Sequence, residues 1–296
     1  MNREKSGFIR HRCRGFTITE LLITIAIIAM LVGLLLPALS VVRKAAKEVK
    51  QKAQLTTIEL AIVAFKNDYG DYPPSYVPLP GGPKDYCGAQ KLAEALVGWD
   101  LLGFHPKSAW MAEGYDGLTP NGPLTYDPDK KRDNNKDGIL DTLNERKGPY
   151  LELATASAFK TWEVISRDVP SWDTYVLCDV FGRKSVTIGT KSVKAGTPIL
   201  YYKADTSGKS ILRIYRRVDN DSLVYIKELE DRAKHPGLRP PLNPLFDASS
   251  FISYIKDPKI TAPAPPWPYR PDSYILISAG ADGFYGTEDD IRNFGY

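Results

Sequence analysis

Residues 16–39 are 24 consecutive positions with a single charged side chain, Glu20. As a helix rising about 1.5 Å per residue they cover roughly 36 Å, enough for a hydrocarbon core about 30 Å thick. No other stretch of the chain has this character. A helix that is apolar all round has no polar face to offer water, so its place is in lipid or among other helices. The rest is ordinary for a folded protein. Of 296 residues, 43% are hydrophobic and 25% charged, which excludes a polytopic membrane protein and a wholly disordered chain.

The net charge of +4 is local. Residues 1–15 carry Arg3, Lys5, Arg10, Arg12 and Arg14 against Glu4; beyond them stand 34 basic and 34 acidic side chains. The surplus therefore points to a targeting segment and not to a nucleic-acid surface, which needs a basic patch. Three readings of residues 1–39 compete: a secretory signal, a plain uncleaved anchor, and a segment in which Glu20 has work to do. Signal-peptide apolar regions run about 7–15 residues, shorter than this one. An ionisable group inside such a block is costly and marks a functional position.

The run Arg14-Gly15-Phe16-Thr17-Ile18-Thr19-Glu20-Leu21-Leu22 resembles the processing site of type IV prepilins and type II secretion pseudopilins. It has the short basic leader, the glycine before the cut, the phenylalanine after it and the glutamate four residues on. Pro37 falls where that family often carries a helix-kinking proline. The resemblance implies cleavage after Gly15 by prepilin peptidase, N-methylation of Phe16, and assembly guided by the Phe16 amine, Glu20 and Pro37. The amine and carboxylate stand at i and i+4, so they can pair within one helix or between neighbouring subunits. Basic residues flank the apolar block on both sides, Arg43, Lys44, Lys47, Lys50 and Lys52 following it. The positive-inside rule therefore does not orient it; the resemblance implies a head outside the cytoplasm.

The helical pattern continues past the apolar block. Val42, Ala46, Val49, Ala53, Leu60 and Ala64 recur at near-heptad spacing, with Ile58, Ile62 and Phe65 widening the stripe. Gly70 and Pro73-Pro74 stop it. The expected organisation is a leader (1–15), a membrane or filament-core helix (16–39), its amphipathic continuation (40–69) and a head (70–296). Within the head, helices are expected at 90–102 and 151–166. Strands are expected at 174–180, 185–188, 198–204, 211–216, 223–226 and 274–278. Helices first and strands later give an α+β class, a long helix packed on an antiparallel sheet.

Two glycine-rich acidic loops invite a metal. Residues 277–291 resemble the final calcium loop of major pseudopilins, and that resemblance implies carboxylates from Asp282, Asp289 and Asp290. Residues 179–183 and 198–202 resemble, more loosely, a turn and strand of the same proteins. Separately, Asp133, Asn135, Asp137 and Asp141 fit EF-hand positions one, three, five and nine, with Gly138 at the turn but no bidentate glutamate at the twelfth. Each loop reads either as a structural calcium site or as a solvated turn. Cys13 lies in the leader. Cys87 and Cys178 form an even pair suited to an oxidising space, either as a disulfide or as two buried thiols.

No HExxH, GxSxG or Walker-type phosphate loop occurs, so the expectation is a structural subunit and not an enzyme. The implied partners are other pilin-like subunits, prepilin peptidase, the inner-membrane platform with its ATPase, and the membrane itself. Nucleic acid is not expected, and calcium is the only cofactor. The leading expectation is a pseudopilin of a type II secretion system forming a periplasmic filament. The other is a minor pilin or adhesin-type subunit of a type IV pilus or DNA-uptake system, its aromatic-rich head recognising a ligand.

Overall fold

The computed structural model describes residues 17–76, 86–114, 125–126, 141–165, 174–261 and 263–295. The chain divides into two compact units, Met1–Ala46 and Lys47–Tyr296. The long helix α1 (Ile18–Tyr69) contributes to both.

In the first unit, described from residue 17, the side chains of α1 are exposed through its apolar run, Leu21, Ile25, Ile28 and Leu35 among them. Among the described residues, α1 is the one helix long and apolar enough to cross a membrane. Pro37 lies within it.

The second unit is α+β, and all its sheets are antiparallel. Strands β1 (Ala158–Lys160) and β2 (Tyr175–Leu177) pair, as do β3 (Lys184–Ile188) and β4 (Lys191–Ala195). The central sheet joins β5 (Leu200–Lys203), β6 (Tyr274–Ser278) and β7 (Ile291–Arg292) in that order. Alternation along a strand sends neighbours to opposite faces. Tyr201, Tyr274 and Leu276 thus meet Leu55, Ile58, Ile62 and Phe65 of α1. Leu200, Tyr202, Ile275 and Ile277 meet a second cluster containing Leu223, Phe251 and Ile255. Those three come from α7 (Asp221–Lys234) and α8 (Ala248–Ile255). The wholly buried α2 (Gly88–Val97) puts Leu92 and Leu96 beside α1.

Three local expectations are corrected. The segment expected to be one helix at 151–166 is instead α4 (Leu153–Ala156), β1 and α5 (Thr161–Val164). Ser157 takes a left-handed φ of 47°, which ends the first helix, and Phe159 then pairs with Val176. The strand expected at 211–216 is α6 (Ile211–Ile214), a turn whose buried Ile211 and Ile214 are three apart while Leu212 faces out. The strand expected at 223–226 lies inside α7, held by i,i+4 ion pairs Lys227–Asp231, Arg232–Glu228 and Lys234–Glu230. Four β-prone residues are too short a window to show the 3.6 period of a fourteen-residue helix. A further short helix among the described residues is α3 (Asp141–Asn144).

Candidate functional site

The first site is the start of α1. The Thr17 carbonyl accepts the Leu21 N–H at 3.1 Å, which makes Thr17 the N-cap. Its hydroxyl accepts the Glu20 N–H at 3.2 Å. The Glu20 carboxylate in turn accepts the Thr17 N–H at 3.0 Å and the Thr17 hydroxyl at 2.8 Å. This is a capping box: Thr and Glu three apart each satisfy an N–H that the first turn leaves unpaired. The sequence signal, Thr-x-x-Glu before an apolar run, is present in Thr17-Ile18-Thr19-Glu20, so Glu20 has a capping role beside that of a partner for an amine. Gly15 and Phe16 lie outside the described residues.

Residues 10–36 match the prokaryotic N-terminal methylation motif. The chain is type IV pilin-like. The match ends at residue 36, and no curated protein and no solved structure matches the chain. A pilin-like segment of this kind goes with prepilin processing, membrane anchoring through one N-terminal helix, and assembly with other pilin-like subunits.

The second site of this pilin-like chain is where residues 178–183 meet the C-terminal loop, two pieces 99 positions apart in the Asp179–Ser278 contact. The Asp179 carboxylate accepts the Phe181 N–H at 3.0 Å and the Ser278 hydroxyl at 3.4 Å. Burial pushes its pKa up to about 6. The Arg183 guanidinium donates to the Ala281 carbonyl and lies over Gly283, where a Cβ would collide with it. α1 grips the same turn: Gln54 donates to the Cys178 carbonyl at 3.0 Å, and Gln51 accepts the Val180 N–H at 2.9 Å.

The C-terminal loop closes on itself. Gly280, at φ 59°, admits the Asp289 carbonyl where a side chain would block it. Asp289 accepts the Asp282 N–H at 2.8 Å and the Thr287 hydroxyl at 2.8 Å. Burial and the adjoining Asp289 charge raise the Asp282 pKa, despite a hydrogen bond from the Phe284 N–H. Burial also opposes the Asp289 charge, but the hydrogen bonds it receives outweigh this and hold its pKa below the usual range. Asp290 accepts the Tyr254 hydroxyl and the Gly286 N–H and lies 3.5 Å from the Thr287 hydroxyl that Asp289 also accepts; burial pushes its pKa up to about 7, and the Asp282 and Asp289 charges add to the rise. The three aspartates named from sequence are thus neighbours, Asp282 and Asp289 as a facing pair and Asp290 beside them with one oxygen bonded to Tyr254 of α8. Among the described residues, no three His, Cys, Asp or Glu side chains are grouped to hold a metal. A cation here would draw on two carboxylates and otherwise on backbone carbonyls.

The remaining predicted residues do not join these sites. Asp133, Asn135 and Asp137 lie outside the described residues, and Asp141 begins α3. Cys87 and Cys178 are free, buried thiols, the second of the two readings of the pair. Each backbone is pinned separately: the Cys87 N–H donates to Gln90 at 3.0 Å at the start of α2, and the Cys178 N–H donates to the Ser157 carbonyl at 3.0 Å. Burial raises both thiols, Cys87 to about 11, which makes them poor nucleophiles.

Proposed function

We propose that this chain is a pseudopilin-type subunit of a type II secretion system. It is cut after Gly15, methylated at Phe16, and drawn from the inner membrane into a periplasmic filament by the platform and its ATPase. The methylation motif at residues 10–36, which includes the start of the exposed apolar helix, supports the pilin-like part of this reading. In the membrane pool, Glu20 caps its own helix through Thr17. In the filament the same carboxylate meets a neighbour's Phe16 amine. The pairing removes a lone charge from an apolar core, where an unpaired one is costly. The helix also offers surface beyond the apolar block: Val49 and Leu60, expected in the apolar stripe, are instead exposed with Val63 opposite the face that Leu55, Ile58, Ile62 and Phe65 bury on the head.

The contact of residues 178–183 with the C-terminal loop supports the choice of pseudopilin, because both segments resemble pieces of that family. We assign a structural calcium ion to the loop, held by Asp282 and Asp289, where it relieves the repulsion of two like charges and ties the loop to β6. Calcium added to chelated full-length protein raises its melting temperature, and Asp282→Asn abolishes the increment. An unchanged melting temperature overturns the calcium assignment. For the whole reading, cells lacking the chain lose extracellular protein export and keep their surface pili. Intact export with lost pili, adhesion or DNA uptake establishes the minor-pilin alternative instead.

A further inference from the structure

Within the Lys47–Tyr296 unit, the β3–β4 hairpin stands apart in its charge. Residues 183–195 carry Arg183, Lys184, Lys191 and Lys194 and no acidic side chain. Two of the four are engaged: Arg183 with the Ala281 carbonyl, and half-buried Lys184 with the charge of Glu230. Lys191 and Lys194 are exposed, and among the described residues no carboxylate pairs with either. Ile188, 54% exposed, stands opposite Lys191 beside the turn, and Val193, 39% exposed, lies between the two lysines. Buried Val186 and Ala195 fix the hairpin to the core. It is a basic ribbon with two uncovered apolar side chains.

Where the hairpin starts decides what it can meet. Gln54 donates to the Cys178 carbonyl and Gln51 accepts the Val180 N–H, so from 178 to 180 the chain runs back along α1, toward its N-terminal side. The hairpin follows at once. A Cβ on Gly182 would meet the Lys194 Cβ at 3.0 Å, and the Arg183 N–H donates to the Ala195 carbonyl at 2.7 Å. Lys47 precedes Gln51 by one turn on the same face of α1, and Lys50 and Lys52 flank Gln51. All three are exposed, and Glu48 is the one acidic residue of 47–54. Lys47 lies eight residues past Leu39, about 12 Å of helix, of which a headgroup layer takes roughly 5–7 Å. The occupant of this surface has to be anionic, extended and close to the end of the apolar block. Lipid headgroups meet all three conditions: their potential acts over a Debye length of about 8 Å, and their interface accepts apolar side chains.

We propose that the β3–β4 hairpin, with the lysines of the 47–52 turn, docks the head on anionic lipid headgroups while the subunit is held in the membrane. Lys191 and Lys194 supply the charge, Ile188 and Val193 the apolar contact. The proposal rests on the reading of residues 16–39 as a membrane span, and it is independent of whether the subunit serves secretion or a pilus.

The test is hydrogen exchange on the full chain in nanodiscs of phosphatidylcholine alone or enriched in phosphatidylglycerol. The expected result is exchange of residues 187–194 slowed roughly threefold or more in the anionic discs, with the exposed 205–207 unchanged. Salt at about 0.5 M removes the slowing, because the Debye length falls to roughly 4 Å. Lys191→Gln combined with Lys194→Gln removes it at low salt; if that variant melts below the native chain, the salt response decides alone. A chain that fails to co-elute with lipid on gel filtration overturns the membrane span, and the docking with it. A chain that co-elutes but exchanges equally in the two discs, or whose slowing survives the salt, overturns the docking alone. Slowing by polyglutamate in phosphatidylcholine discs, without slowing by the anionic lipid, also overturns it and assigns the hairpin to an acidic protein partner.

Discussion

The two parts of α1 obey different rules. Along its apolar run, up to Leu39, the helix is apolar on every side, and its large side chains are exposed. Over residues 47–69 it is amphipathic, with Gln51, Leu55, Ile58, Ile62 and Phe65 buried against the head and charged residues such as Lys52 and Lys66 outside that face. The second part is explained by its own chain. It packs on the β5–β6 sheet, joins the aromatic cluster of Phe65 with Phe104, Trp110 and Tyr150, and is tied by Glu59 to Arg270 at 2.7 Å. The first part is explained only by something outside the chain, either lipid or other helices. One helix thus carries both the stability of the head and the means of assembly, and the two should be separable.

The largest separation is expected from Glu20→Ala. Filament yield, measured by sedimentation or shearing from cells, falls to background, while the melting temperature of the head is unchanged. Unaltered assembly would assign Glu20 to helix capping alone. Ile58→Ala is the mirror image: burial at 0% exposure makes it cost about 2–5 kcal/mol of head stability. For a unit of this size that is a fall of roughly 5–15 °C. Ile28→Ala, an equal truncation in the exposed part, leaves head unfolding unmoved. Arg270→Ala should cost about 1 kcal/mol by removing its hydrogen bonds to Glu59 and the Asn293 carbonyl, read as a small drop in urea midpoint.

A further effect concerns pH. Burial lifts Asp179 from its ordinary 3.8 to about 6 in the folded chain. The folded state therefore holds this proton more tightly than the unfolded one. Its contribution is full below about pH 4 and is lost as pH rises through about 6. The difference in stability between the native chain and Asp179→Asn should change across that window and be flat above it. A difference constant from pH 4 to 7 would contradict the burial argument.

Much of the molecule was legible for reasons that are local. The apolar length of residues 16–39, the stop at Gly70 and the unbroken apolar run of Tyr274–Ile277 are each read from a short stretch of chain, and the α+β class follows from their order. What was missed depends on context. α6 and α7 carry β-prone side chains but are helical because Ile211, Ile214 and Leu223 each fill the cluster beneath the central sheet. Of the β3–β4 hairpin only β3 carries a strand signal; β4 is mostly exposed and lysine-bearing, so it shows no apolar alternation, although Gly189 at φ 61° marks the turn that folds it back. At the C-terminal loop the acidic residues were legible, but not that Asp290 would accept the Tyr254 hydroxyl of α8. That contact spans 36 positions, beyond the reach of any local pattern.

The central claim is that residues 1–15 are removed to free an assembly helix. Intact mass and N-terminal sequencing of the protein from membranes, with and without prepilin peptidase, test it most directly. The expected product begins at Phe16, carries one added methyl group and depends on the peptidase. A chain beginning at Met1, or beyond Ser40, would contradict it and leave a plain anchor or a secretory signal in its place.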